Sequence, residues 1–79
     1  MKLNRLPPRQ RECLKVIHKW YEEPRSRGPY LREIAEAMSR SKEVTSHHVE
    51  ILVARGYLRR IPMRRGSIEI TPTGKALFI

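Results

Sequence analysis

The apolar residues change their period at Gly56, and that change restricts the fold more than any other feature of the chain. Before it they recur every three to four positions, the spacing of a helix with one buried face. Cys13, Leu14, Ile17, Trp20 and Tyr21 mark a first stripe. Leu31, Ile34, Ala35 and Met38 mark a second, about two turns long. Val49, Leu52 and Val53 mark a third, with Thr45 and His48 at its edge. After Gly56 the pattern becomes strand-like. Tyr57–Ile61 and Ser67–Ile70 flank Pro62–Gly66, which predicts a hairpin.

The breakers fall where such an order needs them. Leu6-Pro7-Pro8 opens the first helix, because a proline there gives up an N–H that would have no partner anyway. The helix should stop before Pro24, since the residue preceding a proline disfavours the α region. Glu23–Pro29 reads as a loop. Ser39-Arg40 interrupts the second stripe. Ser41 can cap the third helix by accepting a bond from an orphan N–H. Gly56 supplies the left-handed residue that helix ends favour. Thr71-Pro72 starts a last short helix that runs to Ile79. The expected fold is α+β and mostly α: three helices, a hairpin and a short C-terminal helix in one domain over residues 1–79. The order matches a winged helix-turn-helix, with the motif at about 31–56 and the wing at about 57–70.

Composition excludes several functions. A chain of 79 residues makes one domain with a thin core. All eight acidic residues are Glu, so a Ser-His-Asp triad and an EF-hand loop are ruled out. One cysteine permits no internal disulfide and no zinc site with two Cys ligands, and the cytosol is the expected compartment. Cys13 lies on an apolar stripe and reads as packing. His47 and His48 are adjacent and diverge by about 100° on a helix, which argues against a shared metal. No phosphate-loop, dinucleotide or HExxH motif is present, so no catalytic residue, metal or cofactor is expected. No apolar run is long enough to span a membrane, and the N-terminus lacks a signal-peptide core. Seventeen basic residues against those eight acids leave +9, which points to a polyanion and above all to nucleic acid. Solubility alone is the plainer explanation of the same charge.

Arg32-Glu33-Ile34-Ala35-Glu36-Ala37, then Ser41 and His48, then Arg55-Gly56-Tyr57-Leu58-Arg59-Arg60, then Ile68-Glu69-Ile70 resemble the N-terminal DNA-binding domain of LexA repressors. Arg9-Gln10-Arg11-Glu12 is similar to that family's first helix. The resemblance covers about residues 6 to 70. Ile70–Leu77 looks more like the segment after the wing in MarR- and PadR-type regulators. The chain departs from the LexA pattern at three places. Ser39 stands at a turn position that is commonly Gly, Arg40 at one that is commonly apolar, and Thr45 replaces an apolar residue near the start of the reading helix. Either the turn is looser or Arg40 contacts phosphate. LexA proteins continue into a self-cleaving Ser-Lys domain that also dimerises them. The chain is expected to stop short of it, so damage-induced autocleavage is not carried over.

The resemblance implies that Ser41, Glu43, Val44, Ser46 and His47 face bases. The chemistry fits. A Val methyl can meet a thymine methyl, Glu can accept from cytosine N4, and Ser and His can bond base edges. A plain solvated helix face is the alternative, and Glu43 and Glu50 repel phosphate. Arg9, Arg32, Arg40, Lys42, Arg60, Arg64 and Arg65 are the expected backbone contacts, with Arg64 and Arg65 at the wing tip. An edge-protecting charged loop is the other reading of that tip. Arg59 should instead face Glu69 across the hairpin. Trp20 and Tyr21 are expected in the core.

Two functions compete. One is a sequence-specific duplex-DNA regulator of the bacterial, archaeal or phage type, acting by promoter occlusion or partner recruitment and located with the nucleoid. The other is a winged helix that binds a polymerase, a nuclease or a host regulator. Leu77, Phe78 and Ile79 could pair two copies weakly, or simply close the core. The charge is unevenly spread. Residues 1–30 carry 8 basic and 3 acidic groups, residues 31–56 carry 4 and 4, and residues 57–79 carry 5 and 1. Backbone affinity is therefore expected from the flanks, and selectivity from residues 41–50.

Overall fold

The computed structural model describes residues 2–79. A 3-10 turn, Lys2–Arg5, precedes α1 (Pro8–Trp20), α2 (Leu31–Met38) and α3 (Lys42–Ala54). Strands β1 (Leu58–Arg59) and β2 (Glu69–Ile70) pair antiparallel, with Leu58 opposite Ile70 and Arg59 opposite Glu69. A single helical turn, α4 (Pro72–Lys75), and a 3-10 turn (Ala76–Phe78) close the chain. This is the order expected for a winged helix-turn-helix.

The three stripes meet in one core. Cys13, Leu14 and Ile17 of α1, Ile34 and Met38 of α2, and Val49 and Leu52 of α3 pack together with Leu58, Ile68 and Ile70 from the hairpin. Leu3 and Leu6 join them. Two apolar residues ahead of Pro7 carry no period, so spacing alone does not mark them as core. Ser41 caps α3, its hydroxyl accepting from Val44 N–H at 3.2 Å. Gly56 takes φ +82° just beyond the helix, where a side chain would be strained. Thr71 caps α4 in the same way as Ser41 caps α3, accepting from Gly74 N–H at 3.0 Å.

Helix α1 ends at Trp20, before Pro24, as expected. Two element lengths change. The strands are two residues long, because the Ser67 hydroxyl takes the Ile61 N–H at 3.0 Å in place of a ladder bond. The final helix breaks after one turn into 3-10 geometry. Trp20 is half-buried and stands outside the core cluster. Its indole N–H donates to Arg27 O at 2.9 Å, and the Arg25 guanidinium lies 4.0 Å above its ring. Tyr21 packs on the core edge and donates its hydroxyl to Ile68 O, tying α1 to the wing. Leu77 is buried, Phe78 stacks on the His18 ring at 3.9 Å, and only Ile79 of that trio is fully exposed.

Candidate nucleic-acid interface

Helix α3 exposes one face and buries the other. Glu43, Val44 and His47 are exposed and Ser46 is half-buried, while Thr45, Val49 and Leu52 face the core. Ser41 lies at the exposed start of the helix, with its hydroxyl used as the cap. The five residues expected to face bases therefore occupy one end and one side of α3, next to an open groove.

That groove is a cleft of about 430 Å³ between the wing and the N-terminal ends of α2 and α3. Arg32, Lys42, Arg60, Arg64 and Arg65 all line it, and no carboxylate does. Each helix N-terminus adds a partial positive charge and free N–H groups, so both helix ends reinforce the cations. Arg32, Lys42, Arg64 and Arg65 pair with no carboxylate among the described residues. Arg60 is the exception, with Glu50 at 3.6 Å. The Nε of Arg60 is nevertheless buried without a partner. Such an orphan donor is costly unless a ligand takes it.

Arg9 and Arg40 stand apart from the cleft. Arg9 pairs with Glu12 at 3.2 Å in an exposed contact of little energetic weight. Both arginines approach His48, whose pKa burial pushes down, with His47, Arg9 and Arg40 acting in the same direction. The turn carrying Arg40 is ordered, not loose. Ser39 adopts the left-handed conformation that the more usual Gly would take, with φ 54°, and Arg40 N–H bonds back to Ala35 O at 3.0 Å. Arg59 meets Glu69 at 3.2 Å across the hairpin, as the pairing predicts. Cys13 is buried, which pushes its thiol up to about 12 and leaves it a packing residue.

The sequence reading missed a layer behind the cleft. Arg27 donates to both carboxylate oxygens of Glu33, at 2.7 and 3.1 Å. Glu33 also accepts from Tyr30 N–H at 2.8 Å. The Arg27 fork holds the Glu33 carboxyl near 2, well below its ordinary 4.5. Arg27 and Arg65 lie 3.8 and 4.4 Å from the centre of the same Tyr30 ring. Four residues thus connect a loop, the start of α2 and the wing. The loop has no hydrophobic period to flag it, and its only sequence signal is arginine beside aromatics.

Residues 3–66 match the family model described as the LexA DNA binding domain. The chain is 41% identical over 66 residues to the LexA repressor of Frankia alni, covering 82% of this chain and 26% of that protein. It is 38% identical over 72 residues to the LexA repressor of Parafrankia sp., covering 90% and 28%. It is 36% identical over 67 residues to the LexA repressor of Limosilactobacillus reuteri, covering 84% and 32%. The chain therefore spans about a quarter to a third of the length of these relatives. The family match stops at residue 66, and the MarR- and PadR-like character of Ile70–Leu77 gains no support from these relatives.

Proposed function

Because the chain belongs to the LexA DNA-binding-domain family, we propose that it is a sequence-specific duplex-DNA-binding transcription regulator that works by covering a promoter or bringing a partner to it. The observation that carries this reading is the cleft. Five cations and two helix N-termini converge on one opening with no acid in its lining, beside the exposed face of α3. A sugar-phosphate strand has the charge and width to run through such a cleft, leaving α3 against the major groove. In this reading Arg32, Lys42, Arg60, Arg64 and Arg65 hold one backbone, and Arg9 and Arg40 hold phosphates further along. Ser41, Glu43, Val44, Ser46 and His47 read base edges. The protein then acts where the chromosome is, in the cytoplasm. No helix among the described residues is long and apolar enough to cross a membrane.

A gel shift against random duplex at rising salt tests the backbone half of the proposal. Each phosphate contact contributes about 0.9 to the slope of log affinity against log salt, so replacing Arg64 and Arg65 by Ala should lower that slope by about 2. An unchanged slope refutes the wing contact, and no binding even at low salt refutes the DNA reading in favour of a protein partner. Selection of bound sequences from a random pool tests the other half. A palindromic product would indicate pairing of two copies. Since Leu77 is in the core, pairing at that end would rest on Ile79 and the open edge of Phe78.

A further inference from the structure

We propose that Glu33, although acidic, strengthens DNA binding: through Arg27 and Tyr30 it positions Arg65 of the wing at the cleft. The inference rests on the DNA reading above. Its basis is the shared Tyr30 ring, which carries two guanidiniums, Arg27 at 3.8 Å and Arg65 at 4.4 Å. An aromatic face attracts a cation, but two bare cations on one ring repel each other. Glu33 removes that conflict. Its two oxygens accept both outer nitrogens of Arg27, at 2.7 and 3.1 Å, so Arg65 meets a neutralised pair on the ring. The same carboxylate accepts from Tyr30 N–H at 2.8 Å, which fixes the backbone that carries the ring.

Arg65 is the more weakly held of the two guanidiniums. It belongs to the wing tip and pairs with no carboxylate among the described residues. Arg27 is also anchored by its bond to Gly28 O at 3.1 Å. If Glu33 lost its charge, Arg65 would be the group to leave the ring. The wing backbone would stay in register, because Gly28 N–H bonds Gly66 O at 2.8 Å independently of the carboxylate. Glu33 is thus a positioning residue: it touches no phosphate in this arrangement and faces the ligand only through Arg65.

The sign of the effect makes the test sharp. Removing an acid from a DNA-binding protein ordinarily raises its affinity. Glu36→Gln, on the exposed side of the same helix, should do so slightly, by less than about twofold. Glu33→Gln should instead weaken binding to random duplex by roughly three- to tenfold and lower the salt slope by about 1. In an Arg65→Ala background the same change should have almost no effect, because the contact it supports is already gone. Tyr30→Phe keeps the ring and should bind like the parent, whereas Tyr30→Leu should behave like Glu33→Gln. An independent readout needs no DNA. The Arg65 side-chain protons should show a ring-current shift that Glu33→Gln and Tyr30→Leu abolish and Tyr30→Phe preserves. Tighter binding by Glu33→Gln, or an equal loss with and without Arg65, overturns the proposal. Absence of binding by the parent protein overturns the DNA reading itself, while the Arg65 proton shifts still report whether Glu33 holds that side chain.

Discussion

Ser39 in the turn and Met63 at the wing tip both sit in the left-handed region, at φ 54° and 66°, and neither is glycine. The conformation costs a residue with a Cβ about 1–2 kcal/mol. The two regions offset it differently. Ser39 follows the buried Met38 and is locked by the Arg40 N–H to Ala35 O bond, so the helix core holds it. Met63 is wholly exposed, and the tip is held by local polar contacts. The Arg64 N–H bonds Ile61 O at 3.2 Å, and the Ser67 hydroxyl bridges the two arms. The turn and α3 draw on packing and leave polar groups unmatched inside, namely Thr45 Oγ1 and His48 Nδ1. The wing and the loop behind it draw on hydrogen bonds and charge pairs, with Arg60 Nε the exception. The turn and α3 are therefore rigid because they are packed on the core, and the wing because it is tethered.

The largest expected effect comes from cutting the tether. A Cβ on Gly28 would lie 2.6 Å from Ile68 O and 2.8 Å from Gly66 O, both backbone atoms of the wing. Gly28→Ala should therefore push loop and wing apart and lower stability by about 2–3 kcal/mol in urea denaturation. Gly56 gives the contrast. It has nothing within 4 Å of the added carbon, so Gly56→Ala should cost only the strain of its φ of +82°, about 1 kcal/mol. Equal losses at the two glycines would break the distinction between a tethered wing and an independent one.

Next in size is the unmatched hydroxyl of α3. Thr45 is completely buried and its Oγ1 has no partner. Leaving a buried hydroxyl unpaired costs about 1–3 kcal/mol, so Thr45→Val, which keeps the shape, should raise stability by about 1 kcal/mol. Thermal unfolding checks it. A loss would mean that the hydroxyl has a partner, and α3 would then rely on polar contacts as the wing does.

Relief of strain should be smaller still. Ser39→Gly and Met63→Gly each remove the Cβ penalty but add chain entropy to the unfolded state, for a net gain of about 0.5 kcal/mol. The comparison predicts where each gain is seen. At Ser39 it should appear in global stability, since the turn opens only when the core does. At Met63 it should appear in addition as slower local amide exchange in the wing, which opens on its own. Slower local exchange at both sites, or at neither, would remove the contrast.

The parts of the molecule that rely on packing were the legible ones. Three helical stripes, the Ser41 cap, the left-handed Gly56 and the Arg59–Glu69 register all follow from spacing, because a core imposes its period on the residues that fill it. The grouping of Arg32, Lys42, Arg60, Arg64 and Arg65 was legible only as separate cations. Their common cleft depends on how the hairpin folds back over two helix ends. The Glu33–Arg27–Tyr30–Arg65 layer was not legible at all. Its members meet across an irregular loop and a turn, where spacing carries no information about contact. Glu33 stands out in the sequence only as a member of the Arg32–Ala37 run, and Tyr30 carries no period of its own.

Acid should separate the two regions as well, because each side titrates in its own window. On the wing side the Arg27 fork holds Glu33 near 2, against 4.5 in an unfolded chain. That stability is complete above about pH 4.5 and drains as pH falls towards about 2. On the α3 side the sign must be worked out for a histidine. Burial, His47, Arg9 and Arg40 push the His48 pKa below its ordinary 6.5, and only Glu12 opposes them. Below 6.5 the unfolded chain therefore takes up a proton that the folded chain refuses. Stability from this site is full above that value, falls as pH drops beneath it, and levels off once folded His48 is also protonated. His48→Gln should flatten the decline that begins below pH 6.5 and leave the acid limb unchanged, whereas Glu33→Gln should do the reverse. His18 and His47 stay in both proteins, so the difference between the two melting curves isolates His48. A decline that His48→Gln leaves intact would place the titrating group elsewhere and deny α3 its buried polar cost.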